Sequence, residues 1–115
     1  MAIKIAAKNE HKFYPTSFDN MALPEGKRFC VVLAKKHRLV VQTASVTAGG
    51  KFDLVAYTKE IIDHLENSPD LDFGTETRAL TVDDIFVIPE LEVLATEIFG
   101  AATSLQNDGA LPEKN

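Results

Sequence analysis

Arg28-Phe-Cys-Val-Val-Leu-Ala34, Lys35-Lys36-His37 and Arg38-Leu-Val-Val-Gln-Thr-Ala-Ser-Val46 form the stretch on which the reading of the fold turns. Both flanks are dense in Val, Leu, Phe and Thr, residues that suit a pleated surface. The short polar link between them predicts a β-hairpin. A three-residue loop sets Leu33 opposite Leu39, Val31 opposite Val41 and Phe29 opposite Thr43. Directly opposite residues share a face, so this register gathers one apolar patch. The other face then holds Cys30, Val32 and Val40 among Arg28, Arg38 and Gln42. The register lacks the Gly or Asn that such loops use at a left-handed position.

Upstream, Ile3 to Ala6 fits a short strand. Residues 8–26, with Pro15 and Pro24, read mainly as loop, and Pro24-Glu25-Gly26 reads as a turn before the first hairpin strand. Downstream, the period changes from two to 3.6 near Gly49-Gly50. Asp53 is placed to cap a helix from about Leu54 to Glu66, with Leu54, Tyr57, Ile61 and Leu65 on one stripe. Residues 70–80 read as loop with an extended piece at Thr77 to Leu80. Thr81-Val-Asp-Asp84 has the layout of a capping box. Pro89 suits the first position of a helix running to about Leu105, whose stripe is Leu91, Leu94, Ala95, Ile98, Ala102 and Leu105. Gln106 to Asn115 reads as a flexible tail. These elements predict one α+β domain over residues 1–105. In it a small antiparallel sheet with a central β-hairpin packs against two helices from the C-terminal half.

The formal net charge of -5 conceals a division. Residues 1–51 carry nine Lys and Arg against three acids, while residues 52–115 carry three against fourteen. The β-rich part is therefore +6 and the helical part -11, which points to two surfaces of opposite sign. One cysteine, Cys30, forbids an intrachain disulfide and fits a reducing compartment. No segment approaches the roughly 18 apolar residues of a membrane span. Lys4 interrupts the apolar start, so no signal-peptide core is expected. The expected location is cytoplasmic, with no membrane partner.

The motifs for chemistry fall short. Gly49-Gly50-Lys51 has Ser45 and Phe52 where a phosphate loop needs Gly and Ser or Thr. Asp70-Leu-Asp-Phe-Gly74 has the alternating acids of a calcium loop, but Thr75 and Thr81 stand at the positions of its glycine and its bidentate glutamate. Glu60 and His64 are four apart on the expected helix, and no third metal ligand has a matching spacing. Cys30 sits among apolar neighbours and reads as an inert core thiol. There is no Gly-x-Ser-x-Gly elbow. The expectation is no enzyme activity, no catalytic residue, no cofactor and no metal.

Two binding surfaces remain. The first is the basic hairpin, with Lys27 and Arg28 at its base and Lys35, Lys36 and Arg38 at its tip. A basic ribbon follows phosphates or an acidic protein surface, and tip lysines equally protect a sheet edge. The acidic total argues against general nucleic-acid affinity. The second is the face of the last helix bearing Leu91, Leu94, Ile98 and Phe99, which either packs on the sheet or grips another chain.

The order of elements over residues 12–105 resembles the small tail assembly chaperones of tailed bacteriophages. The residues that carry the likeness are Lys12-Phe-Tyr-Pro-Thr16, Leu23-Pro-Glu-Gly26 leading into a strand, and Leu91 to Phe99. The resemblance implies a non-enzymatic role in the host cell cytoplasm, binding the tape-measure protein and tail-tube subunits. Self-association into a homo-oligomer is compatible with it. No catalytic or binding residue carries over. The alternative is a small inhibitor or regulator whose basic hairpin contacts nucleic acid or an acidic protein surface.

Overall fold

The structure is a computed structural model that describes residues 1–5 and 9–112. It is α+β. A three-stranded antiparallel sheet has the order β1 (His11–Phe13), β2 (Cys30–Leu33), β3 (Ile62–Glu66). A separate two-stranded hairpin pairs β4 (Asp70–Asp72) with β5 (Thr77–Ala79). The helices are α1 (Arg38–Ser45), α2 (Leu54–Ile61), α3 (Val82–Ile85) and α4 (Glu92–Asp108).

The predicted hairpin is corrected. Residues 38–45 are helix, and the partner of β2 on that side is β3. The His37 side chain accepts a hydrogen bond from the Leu39 amide at 3.2 Å and caps α1. Val41 and Ser45, one turn apart, turn inward while Leu39 and Val40 stay exposed. The β-branched composition of this segment favours strand, but the cap and the inward Val41–Ser45 pair hold a helix.

The helix expected over Leu54 to Glu66 stops at Ile61. Its cap is as expected, with the Asp53 carboxylate accepting from the Ala56 amide at 3.0 Å. Ile62 is extended, and residues 62–66 pair Cys30↔Glu66, Val31↔Leu65, Val32↔His64 and Leu33↔Ile62, with a bulge between Val32 and Leu33. Ile61 and Leu65 are four apart, a spacing that lies on one helix stripe and on one strand face alike. Ile3 and Ile5 are exposed and outside any strand, and Ala6 lies outside the described residues.

The C-terminal half follows its local signals. Thr81 and Asp84 form the reciprocal capping box, and Pro89 opens a single 3-10 turn that leads into α4. The helix α4 runs to Asp108, so residues 106–108 are helix rather than tail. Gly109, at φ 76°, ends it by donating to the Leu105 carbonyl at 2.9 Å. Residues 113–115 of the expected tail lie outside the described residues. One core joins Val31 and Leu33 of the sheet, Ile61, Ile85, and Leu91, Leu94, Ile98, Ala101, Ala102 and Leu105 on the α4 side. The small Ala101 and Ala102 let α4 lie close to β2 and α2.

Two polar clamps fix the irregular segment before β2. Glu97 of α4 accepts from the Thr16 amide at 2.6 Å, the Thr16 hydroxyl at 2.8 Å and the Ser17 hydroxyl at 2.8 Å. Buried Asn20 bridges to Phe29 and Pro15. Between the clamps, Phe18 and Asp19 are both left-handed, each at φ 57°.

Asp84 also receives a bidentate guanidinium from Arg78 at 2.6 and 2.8 Å. Arg78 first, then the Thr81 amide and hydroxyl, hold the Asp84 carboxyl well below its ordinary 3.8. A depressed folded-state pKa stabilises the fold fully above the unfolded value, and that contribution is lost as pH falls through the folded value. Acid titration of stability is therefore expected to be shallower in Asp84→Asn than in the parent between about pH 5 and pH 2. Equal slopes in urea midpoints over that range would refute it.

Candidate functional site

The structure brings Lys35, Lys36 and Arg38 together at one cleft of about 650 Å³. They follow β2 in a short loop that two amide side chains hold like a neighbouring strand. Asn9 donates to the Lys35 carbonyl at 2.6 Å and accepts from its amide at 3.2 Å. Gln106 donates to the Lys36 carbonyl at 2.9 Å and accepts from its amide at 3.0 Å. His37 then turns the chain into α1. The basic cluster thus arises from a clamped loop and a helix start.

Phe52 and Tyr57 line the same cleft. Val46 and Phe52 pair across the turn 47–51, where Gly50 at φ 78° takes a conformation that side chains disfavour. Phe52 is 59% exposed. Its ring centroid lies 5.5 Å from that of Tyr57, which lies 6.0 Å from that of Phe99. Among the described residues the ion pairs of Lys12, Lys59 and Arg78 are with Glu66, Asp83 and Asp84, and none involves Lys35, Lys36 or Arg38. The cleft therefore offers three uncompensated cations beside an exposed ring. That combination suits an anionic partner carrying an apolar group.

Lys27 and Arg28 are elsewhere. Lys27 lines a separate pocket of about 350 Å³. The Arg28 guanidinium donates to the carbonyls of Leu23 at 2.9 Å and Met21 at 3.1 Å, bracing the segment before β2. Neither joins the Lys35–Arg38 surface, because the hairpin that would have aligned them does not form.

The α4 face divides as well. Leu91, Leu94 and Ile98 are core residues, at 6%, 2% and 0% exposure, and are not a free partner surface. Phe99 is half-buried and lines an apolar groove of about 560 Å³ with Leu54, Val55, Phe86, Val87 and Ile88. Leu54 and Val87 stand out into solvent there. Lys59 reaches over the Phe86 ring at 5.9 Å and pairs with Asp83 at 2.7 Å.

Cys30 is buried in β2, its sulfur 3.7 Å from the cross-strand Glu66 carboxylate. Burial first, then the Glu66 charge, pushes its thiol up to about 11, which keeps it protonated and poorly nucleophilic at neutral pH. His64 contacts Asp63 at 2.6 Å and Glu66 at 3.2 Å, and hydrogen bonding to Asp63 and then Glu66 raises its pKa. The expected one-turn relation of Glu60 to His64 is lost because residues 62–66 are strand. Among the described residues no group of three His, Cys, Asp or Glu is arranged to hold a metal, and no helix is long and apolar enough to cross a membrane. Gly49-Gly50-Lys51 is the surface turn described above. Asp70 to Gly74 belongs to the β4–β5 hairpin, where the Asp72 carboxylate accepts from the Gly74 amide at 2.8 Å.

By sequence Phe52 and Tyr57 read only as a turn neighbour and a helix-stripe residue, and Gln106 as tail, so none of the three is assigned to a binding surface. A signal for the first was present: Val46 and Phe52 flank the Gly49-Gly50 turn as an apolar cross-strand pair does. Gln106 carried none, since its partner lies 70 residues away. Comparison of the chain with protein-family models, curated proteins and solved structures finds no match.

Proposed function

We propose that this chain is a non-enzymatic protein–protein interaction domain, acting in the manner of the phage tail assembly chaperones it resembles, with tape-measure and tail-tube proteins as its partners. The observation that carries this reading is the apolar groove beside α4. Leu54 is 45% and Val87 75% exposed there, next to Phe86, Ile88 and Phe99. The core is closed without them, since Leu94, Ile98 and Leu105 are buried behind. A contiguous apolar groove on a small domain suits an amphipathic helix or apolar segment of another protein.

Co-purification with a tape-measure protein and with tail-tube subunits tests the reading. Leu54→Glu and Val87→Glu are expected to weaken capture at least about tenfold, because a charge is then desolvated at the contact. Both side chains are exposed, so the melting temperature is expected to stay close to that of the parent. Undiminished capture by both variants would sink the groove as the contact.

The regulator reading rests on a different observation, the uncompensated Lys35, Lys36 and Arg38. It favours an acidic protein surface over nucleic acid, since the chain as a whole is -5.

A further inference from the structure

We propose that the domain self-associates head to tail, with the β4–β5 tip of one copy seated in the Lys36–Arg38–Phe52 cleft of the next. This rests on the reading of the chain as an interaction domain and names one partner, a second copy.

The tip has the chemistry that the cleft lacks. Asp70, Asp72 and Glu76 are exposed around Phe73, which is 44% exposed. Among the described residues none of the three acids has an ion pair, whereas Arg78 is already bound to Asp84. The Arg78 guanidinium lies 5.0 Å from the centre of the Phe73 ring and supports it from one side. The Asp72–Gly74 hydrogen bond and Gly74 at φ 83° fix the turn. The tip is thus an anionic knob with an apolar centre, shaped before contact.

The cleft is its complement, lined by three cations and by the exposed Phe52 and Val46. Its volume of about 650 Å³ accommodates an aromatic side chain with its flanking carboxylates. Segments 35–57 and 106–107 line the cleft, and the knob is residues 70–79, so the two patches share no residue. A knob and a hole on different patches make a heterologous contact. Repetition of that contact yields a ring or an open row of copies. The division of the chain into a +6 part and a -11 part then has a structural use, because one copy's basic cleft faces the next copy's acidic hairpin.

Sedimentation velocity of the full chain over a concentration series tests the proposal. The parent is expected to show mass growing with concentration, and growth is expected to weaken as salt screens the contact. Lys36→Glu with Arg38→Glu disables the cleft, and Asp70→Asn with Glu76→Gln neutralises the knob without giving it a charge that the acidic cleft variant could bind. Each double variant alone is expected to associate at least about tenfold more weakly. An equimolar mixture of the two retains one intact knob and one intact cleft, so it is expected to form a species of two copies and stop there. A parent that stays monomeric throughout overturns the proposal, as does a mixture that stays monomeric. Equal weakening by Leu54→Glu and Val87→Glu also overturns it, by moving the contact to the groove. A shifted single-stranded DNA or RNA band that the Lys36 and Arg38 variants abolish, with no self-association, assigns the cleft to nucleic acid and overturns it too. Capture of tail proteins is read separately. Its failure with self-association intact removes that partner reading alone, and its success with a monomeric parent removes this one alone.

Discussion

Asn20→Ala is expected to lower the stability of the fold by about 3–5 kcal/mol, through buried backbone groups left without partners. Asn20 is 5% exposed. Its Oδ1 accepts from the Phe29 amide at 2.7 Å, and its Nδ2 donates to the carbonyls of Pro15 and Phe29 at 2.8 Å each. One side chain thereby satisfies three main-chain groups just ahead of β2. It also holds Phe18 and Asp19 in the left-handed region, where each residue stores about 1 kcal/mol or more of strain. Without the clamp the strained residues are expected to relax and the segment to loosen from its packing ahead of β2. Amide exchange over residues 16–29 is expected to quicken together with the fall in the urea midpoint. Asn67→Gly is the control, because Asn67 lies at φ 55°, a conformation that glycine adopts without strain and alanine does not. Asn67 donates to two carbonyls, of Gly26 at 3.2 Å and Arg28 at 3.1 Å, but it is exposed, so water replaces it at a cost of about 1 kcal/mol or less. Equal losses from the two variants would show that burial of Asn20 contributes nothing.

The same residue marks where the sequence stops being legible. Caps and periodicity are local, and they are readable: Asp53, the Thr81–Asp84 box and the α4 stripe stand in the structure where the spacing puts them, while Pro89 opens a 3-10 turn and the α-helix expected from it begins only at Glu92. Pairing between distant segments is not local. Nothing near Cys30 says that its cross-strand neighbour is Glu66, and the nearest β-rich segment, residues 38–46, is a misleading candidate. Its Val and Thr content favours strand by composition, while the feature that decides for helix is a histidine cap, a side chain outside the usual Ser, Thr, Asp and Asn set. The candidate surfaces follow the same rule. Lys35, Lys36 and Arg38 are readable as a cluster because they are adjacent in sequence. Lys27 and Arg28 join them only through a hairpin that is absent. Phe52 joins the cleft through its local pairing with Val46 across Gly49-Gly50, whereas Gln106 completes it from a distance that no local pattern records.

Ile98 separates core from contact on α4, and Ile98→Ala is expected to cost about 2–5 kcal/mol. The side chain is 0% exposed and lies in the cluster with Leu33, Ile61, Leu94, Ala102 and Leu105. Truncation removes apolar burial and leaves a cavity, and the flanking alanines are too small to fill it. Val93 on the same helix is 70% exposed, and Val93→Ala is expected to change stability by no more than about 0.5 kcal/mol, since alanine is the better helix former. A partner role for Ile98 makes a different demand, which a milder variant exposes. Ile98→Val costs about 0.5–1.5 kcal/mol and leaves the protein folded. If Ile98 acts only in the core, that folded variant captures tail proteins as the parent does, while Val87→Glu does not. A folded Ile98→Val that loses capture would mean that α4 turns its Leu94–Ile98 stripe outward when it binds. The groove beside Phe99 would then be the rim of a larger site, reached only by opening the core that Ile98 closes.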